Sequence, residues 1–149
     1  MFPTNARRRL LRHGMTLFFL GLLTGFVIPA MANPRGGLAA HLEGVMNGTF
    51  LVAVGVAWSD LHFPRWAAVT AYRLLLFGTY ANWATTTASG VFGTHSGTEI
   101  AAAGHHGSPW QEQLVFAAFA AVGVTMVVAL GLVVWGAWRR EPVSSPESG

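Results

Sequence analysis

The sequence predicts an all-α integral membrane protein with four transmembrane helices in an antiparallel bundle. Of its 149 residues, 52% are hydrophobic and only 10% are charged, whereas soluble domains average about 25% charged residues. The charged side chains concentrate near the two ends, and long apolar stretches lie between them. A bilayer core requires about 20 mostly apolar residues per helix. The composition therefore excludes a typical soluble domain, and an aromatic content of 12% excludes a disordered chain.

Four apolar stretches qualify as spans, in the order 15–32, 38–58, 66–92 and 114–138. Turn-forming residues at 33–37 end the first span, and Pro64 ends the second connection, because glycine and proline interrupt helices. The third connection, 93–111, is rich in glycine, serine, histidine and threonine. The predicted organisation is a basic N-terminal segment over 1–13, one transmembrane domain over 14–140 and a disordered tail over 141–149.

The arginines predict how the chain is oriented in the membrane. They account for every basic residue, with a run over 7–12 before the first span and Arg139 and Arg140 after the last. The long third connection has none. Since cytoplasmic connections carry the excess of basic residues, both termini are expected in the cytoplasm of a bacterial-type inner membrane. Basic residues at span ends also fit lipid headgroups better than a nucleic-acid groove, so no nucleic-acid partner is expected.

The first span has an alternative interpretation as a signal peptide. The arginine run, the apolar stretch and Ala30-Met31-Ala32 together fit a cleavable leader, which would leave three spans after cleavage. Gly14, Gly21 and Gly25 favour a retained helix, because small residues let helix backbones approach closely. The absence of cysteine excludes disulfides and cysteine-ligated haem or iron–sulfur centres.

Span two contains the candidate functional residues. His41 and Glu43 are ionisable residues within a predicted span, where charge is costly and points to function. Asn47 follows Glu43 by one helical turn. His41 shares a stripe with Gly44 and Gly48, and these glycines would leave room for a large flat group. An imidazole beside cleared space is what haem iron requires.

Span three is polar at the matching depth. Because the two helices run in opposite directions, His41 is expected level with Thr86, and Asn47 level with the run from Tyr80 to Trp83. The polar side chains of both spans are therefore expected to face one another in a pocket in the outer half of the membrane. A single buried histidine predicts five-coordinate iron with an open position, which suits ligand binding or Lewis-acid chemistry rather than electron transfer.

Structural interpretations of the same residues remain open. His41 also fits a hydrogen-bonded packing residue, Glu43 a proton-linked group, and Asn47 a contact between helices. The external His95, His105 and His106 are expected to be solvated loop residues, and their role is open. Two non-enzymatic functions compete, namely a haem sensor and an oligomeric proton-conducting subunit that uses His41 and Glu43.

The run from Gly37 to Leu51, GLAAHLEGVMNGTFL, resembles the hydroxylaminobenzene mutases. The runs 80–83 (YANW) and 109–112 (PWQE) and the pair His13-Gly14 extend that resemblance over nearly the whole chain. More distantly the sequence is similar to the styrene oxide isomerases, through a His-x5-Asn-Gly pattern at positions 41, 47 and 48. That second group carries a tyrosine that aligns near Thr86, and it lacks the glutamate of position 43. These departures favour the hydroxylamine branch over an epoxide isomerase.

The resemblance implies a membrane isomerase that converts arylhydroxylamines, small aromatic substrates, to 2-aminophenols without a redox partner. The more distant branch implies a homotrimer in membrane lipid, with haem b held through His41 beside Gly44 and Gly48 and iron as Lewis acid. In this interpretation Asn47 and Asn82 hold the hydroxyl and Glu43 moves the proton. The residues expected to contact the substrate are Met46, Tyr80, Trp83 and Thr86.

Overall fold

The computed structural model describes residues 3–139, and the predicted tail over 141–149 lies outside them. The described residues form helices and connections without any strand. The helices are α1 (Pro3–Val27), α2 (Pro34–Ala57), α3 (Arg65–Phe92), α4 (Glu99–Ala102) and α5 (Pro109–Trp138). Short 3-10 turns, Ile28–Ala30 and Trp58–Asp60, follow α1 and α2. The all-helical class is confirmed, and the basic residues at 7–12 belong to the first turns of α1.

Local sequence explains where the helices begin and end. The Asn33 side chain accepts hydrogen bonds from the backbone N–H groups of Arg35 and Gly36, which caps α2, and Pro34 takes the first helical position. At the start of α5 the Ser108 backbone N–H donates to Gln111 Oε1 at 2.8 Å, which is one half of a capping box. Gly93 ends α3 with a φ of 65°, a left-handed conformation that glycine adopts without steric cost.

Three helical segments are long and apolar enough to cross a membrane, namely Ala6–Ala30, Pro34–Asp60 and Pro109–Trp138. Helix α3 has 28 residues, which is sufficient length, but it is not among these three. Helix α3 contains two arginines, and hydroxyl and amide side chains cluster in its C-terminal half. Both features lower its mean hydropathy. Such side chains are tolerated where they face neighbouring helices rather than lipid. A fourth span and the cytoplasmic location of the termini stay predictions.

Consecutive long helices pack on one another, and the antiparallel four-helix bundle stays a prediction. Helix α1 packs extensively on α2, α2 on α3, and α3 on α5, whereas α5 has its main contact with α3 alone. The buried residues of α5 form a single narrow stripe. They are Val115, Val122, Ala129 and Gly136. Helix α5 is apolar on all sides, so the surface outside this stripe can face lipid. Hydropathy therefore could not predict which helices pack against α5.

Candidate functional site

The crossing of α1 and α2 is built from glycines on both helices. Gly44 lies against Gly21, and Gly48 against Phe18 and the Gly14 carbonyl, so closely that a Cβ atom at either α2 position would overlap the α1 backbone. This contact explains why α1 carries glycines at helical spacing. It also packs α1 closely against α2 along about three helical turns.

The same contact changes the predicted role of Gly44 and Gly48. The sequence suggests that these glycines leave room for a flat cofactor, but α1 occupies the space next to both of them. Their small size allows close helix packing. A glycine stripe in the sequence fits close packing and a cofactor site equally well, so the sequence alone could not separate the two. The cofactor-binding role of Gly44 and Gly48 stays a prediction.

His41 is oriented by α1. Its Nδ1 atom lies 2.8 Å from the Gly21 carbonyl oxygen, and because a carbonyl only accepts, Nδ1 carries the proton and donates. Gly25, one turn further along α1, leaves the space that the imidazole occupies, since a Cβ there would lie 3.0 Å from Nδ1. Within residues 3–139 no group hydrogen-bonds Nε2, whose lone pair is therefore available.

Glu43 joins α2 to α3. Its Oε2 atom accepts hydrogen bonds from Asn47 Nδ2 at 2.9 Å and from Asn82 Nδ2 at 2.5 Å. All three side chains are partly buried, and neither hydrogen bond uses Oε1. Amide donors to a carboxylate oxygen are stronger than neutral pairs. The three residues expected to handle the hydroxyl and the proton are thus in direct contact, although their roles stay predictions.

His41 and Glu43 lie on different sides of α2. Two residues along an α-helix are about 160° apart around its axis, so His41 faces α1 whereas Glu43 faces α3. The single pocket expected from the sequence therefore divides within one chain into an imidazole against α1 and a carboxylate cluster against α3. Equal depth in the membrane was insufficient to predict a shared pocket, because it does not specify the direction in which each side chain points around its helix axis.

The four expected substrate contacts lie in different surroundings. Met46 points out of the packed helices, with 64% of its surface exposed. The hydroxyl of buried Thr86 donates to the Asn82 carbonyl at 2.9 Å, directly beside the carboxylate cluster. The other two, Tyr80 and Trp83, point to α1. Only Thr86 thus borders the Glu43 cluster through a direct contact with one of its members.

Two residues of α1 that were not predicted as site residues hold these aromatic side chains. Trp83 Nε1 donates to Thr24 Oγ1 at 3.1 Å. Tyr80 Oη lies 3.2 Å from His13 Nδ1 and 3.3 Å from the His13 carbonyl oxygen. Glycine spacing in α1 indicates which face packs, but no local signal pairs Thr24 or His13 with a residue of α3. These contacts depend on how three helices assemble.

The connection between α3 and α5 is organised by Glu112. Its carboxylate accepts hydrogen bonds from the backbone N–H groups of His95, Ser96 and Gly107, so one side chain joins both ends of the connection. His95 Nδ1 lies 3.0 Å from this carboxylate and 3.1 Å from His106 Nδ1. No group of three or more His, Asp or Glu side chains within 3–139 is arranged to hold a metal ion. The hydrogen bonds of Glu112 therefore hold the connection after α3 in its folded conformation.

Comparisons with known proteins agree with the resemblance noted in the sequence. Residues 6–138 match the family described as styrene oxide isomerase. The chain is 44% identical over 146 residues to the hydroxylaminobenzene mutase HabB of Ectopseudomonas oleovorans, a match that covers 95% of this chain and 89% of that protein. It is 40% identical over 103 residues to the hydroxylaminobenzene mutase HabA of the same organism, covering 68% and 76% respectively. No solved structure matches.

Proposed function

The chain belongs to the styrene oxide isomerase family and is a membrane isomerase of the mutase kind, and we propose that it rearranges arylhydroxylamines to 2-aminophenols. The proposal takes its substrate class from the two mutases to which the chain is similar. The observation that carries it in this structure is the contact of Glu43 with two asparagine amides of different helices. That cluster offers a proton-transfer group and hydrogen-bonding groups in one partly buried place.

The reaction is an isomerisation that needs proton transfer but no net change of protons. The N–O bond breaks, a C–O bond forms at the ortho carbon, the ortho carbon loses a proton and the nitrogen gains one. A single carboxylate suffices, since Glu43 can accept the first proton and return it to nitrogen. Because both asparagine hydrogen bonds end on Oε2, Oε1 is the atom available to the substrate.

The asparagines have a second task in this mechanism. Each uses one amide N–H to hold Glu43, so the remaining N–H and the carbonyl oxygen are the groups with which Asn47 and Asn82 would bind the migrating hydroxyl. A water-poor site keeps that hydroxyl beside the ortho carbon. Solvent, which would otherwise attack the para position, is excluded by the same packing.

The surroundings of Asn82 suggest where the aromatic ring lies. Gly78, one turn before Asn82 on the same face of α3, lies against Met126 of α5. Helices α2 and α5 therefore border one face of α3, and they have no extensive contact with each other. An apolar ring that arrives from the lipid would reach the carboxylate between them.

The residues fit a haem held through one histidine. Metal-bound imidazoles characteristically donate their other N–H to a backbone carbonyl or a carboxylate, and His41 donates Nδ1–H to the Gly21 carbonyl while Nε2 is available. We therefore propose that His41 Nε2 holds haem b, which would supply Lewis-acid polarisation of the N–O bond. Within one chain His41 faces α1 and Glu43 faces α3, so the two side chains do not face a common pocket. We propose that the homotrimer implied by the resemblance brings His41 of one chain close to Glu43 of another.

The substrate assignment is tested by product analysis. Purified protein supplied with hydroxylaminobenzene in H₂¹⁸O is expected to form 2-aminophenol without ¹⁸O, because the hydroxyl moves within one molecule. Mass spectrometry measures the label, and chromatography separates the 2- and 4-isomers. Styrene oxide under the same conditions is the comparison substrate. 4-Aminophenol as the main product, ¹⁸O in the product, or faster turnover of styrene oxide would contradict the assignment.

The cofactor proposal has a spectroscopic test. Protein produced with haem supplied is expected to show stoichiometric Soret absorbance that His41→Ala abolishes, since His41 is the proposed ligand and its Nε2 is available. His62→Ala is the matched control, because His62 lies at a helix connection outside the candidate site. An unchanged Soret band in His41→Ala, or loss of the band in the control alone, would refute His41 as the ligand.

A further inference from the structure

Two hydrogen-bonded aromatic side chains of α3 flank Asn82 and fasten that helix to α1. Tyr80 contacts His13 through its hydroxyl, with the two rings edge to face at 5.8 Å. Trp83 donates its indole N–H to Thr24. Helix α1 otherwise packs mainly on α2 and only lightly on α3. These two contacts are therefore the specific polar connections between α1 and α3 within 3–139.

Their positions on α3 restrict how that helix can turn. Residues three apart lie on one side of a helix, whereas Asn82 is about 100° from Trp83 and about 160° from Tyr80 around the axis. Both aromatic side chains thus point to α1 while Asn82 points to Glu43 on α2. A rotation of α3 that moved Asn82 away from the carboxylate would also break the contacts with α1.

Thr24 is the buried half of the stronger anchor. Only 4% of its surface is exposed. Its hydroxyl donates to the Leu20 carbonyl at 2.9 Å, so the lone pairs of Oγ1 are free to accept the Trp83 N–H. Trp83 also lies beside Gly44, where a Cβ would be 3.0 Å from its Cδ1 atom, which fixes the ring between α1 and α2. Without the hydroxyl, the partly buried indole N–H would lose its partner.

We propose that Thr24 is a positioning residue of the isomerase, which acts through Trp83 to set the rotation of α3 and hence the contact of Asn82 with Glu43. His13, which lies nearer the N-terminus of α1, is the second positioning residue and acts through Tyr80. This inference rests on the proposed function in so far as it concerns turnover. The Asn82–Glu43 contact itself is independent of which substrate is used.

Thr24→Val tests the proposal, because valine retains the shape of threonine and removes only the hydroxyl. We expect kcat for hydroxylaminobenzene to fall about tenfold, the rate equivalent of one lost hydrogen bond, with KM unchanged. Thr24→Ser restores the hydroxyl and is expected to recover kcat. Thr49→Val is the matched control, since the exposed Thr49 hydroxyl also donates to the carbonyl four residues earlier, Val45, but has no hydrogen bond to another helix within residues 3–139.

A spectroscopic readout separates this proposal from the substrate assignment. The infrared carboxyl band of Glu43, identified by its absence in Glu43→Gln, is expected to shift in Thr24→Val in the same direction as in Asn82→Ala. The band should return in Thr24→Ser and stay in place in Thr49→Val. A band and kcat equal to those of the unaltered protein in Thr24→Val would overturn the proposal. If hydroxylaminobenzene is not a substrate, the position of the infrared band alone tests whether Thr24 sets the Asn82–Glu43 contact. If Thr24→Val does not fold, Trp83→Phe removes the same hydrogen bond and provides the same test.

Discussion

Glu43→Gln is expected to reduce the rate of 2-aminophenol formation by about 10² to 10⁴-fold, the usual contribution of a positioned acid or base. Glutamine has the shape of glutamate, and its amide oxygen can still accept from Asn47 and Asn82, so the helix contacts persist. The amide has no basic oxygen that could take a proton from the ortho carbon. Steady-state kinetics in detergent measure the loss, and the Soret band reports whether haem binding is retained.

Glu99→Gln is the matched control for that substitution. Glu99 is an exposed residue of α4 in the connection between α3 and α5, so the same change of charge there is expected to leave the rate unchanged. A Glu43→Gln protein that turns over at the original rate would eliminate Glu43 as the proton-transfer group. Equal losses in both variants would indicate a general effect of charge instead.

Gly44→Ala should strongly destabilise the protein at the α1–α2 crossing. The added Cβ overlaps the backbone of Gly21, and two backbones cannot yield as a flexible side chain would, so α1 and α2 must separate. Overpacking of this kind costs about 1–3 kcal/mol or more. His41 would then lose its hydrogen bond to the Gly21 carbonyl. We expect a lower thermal unfolding midpoint together with loss of activity.

The same substitution at Gly123 controls for the loss of glycine. Gly123 lies on α5 with no atom within 4 Å of a built Cβ, so alanine fits there without overlap. Alanine in a helix is favoured over glycine by about 0.5–1 kcal/mol. Gly123→Ala should therefore be as stable as the unaltered protein or slightly more so. Equal midpoints for the two variants would show that the α1–α2 crossing tolerates a side chain.

Spacing within single helices predicted which polar side chains meet at the candidate site, and their roles stay predictions. Glu43 and Asn47 are one turn apart, and antiparallel order places Asn82 at their depth, so the carboxylate cluster follows from local periodicity and one reversal of direction. The helical class and the apolar helices followed from composition in the same way. These inferences need no knowledge of which helices touch.

The partners of individual side chains could not be predicted so directly. Gly44 and Gly48 suit a cofactor or a neighbouring backbone equally well, and only the position of α1 distinguishes the two. Thr24 is one of many threonines in the chain, and the indole that it accepts from comes from a helix about 60 residues away. Such pairs depend on rotations of whole helices, which hydropathy does not specify.

Composition and periodicity were enough to establish a helical membrane protein with an acid and two amides at one depth, because apolar length and helical pitch are properties of each segment alone. Packing decides the rest. The glycine crossing turns His41 to α1 and Glu43 to α3, and α5 packs mainly on α3. The physical reason is that an apolar helix surface is satisfied equally by lipid and by another helix, so close contacts and buried hydrogen bonds select the arrangement.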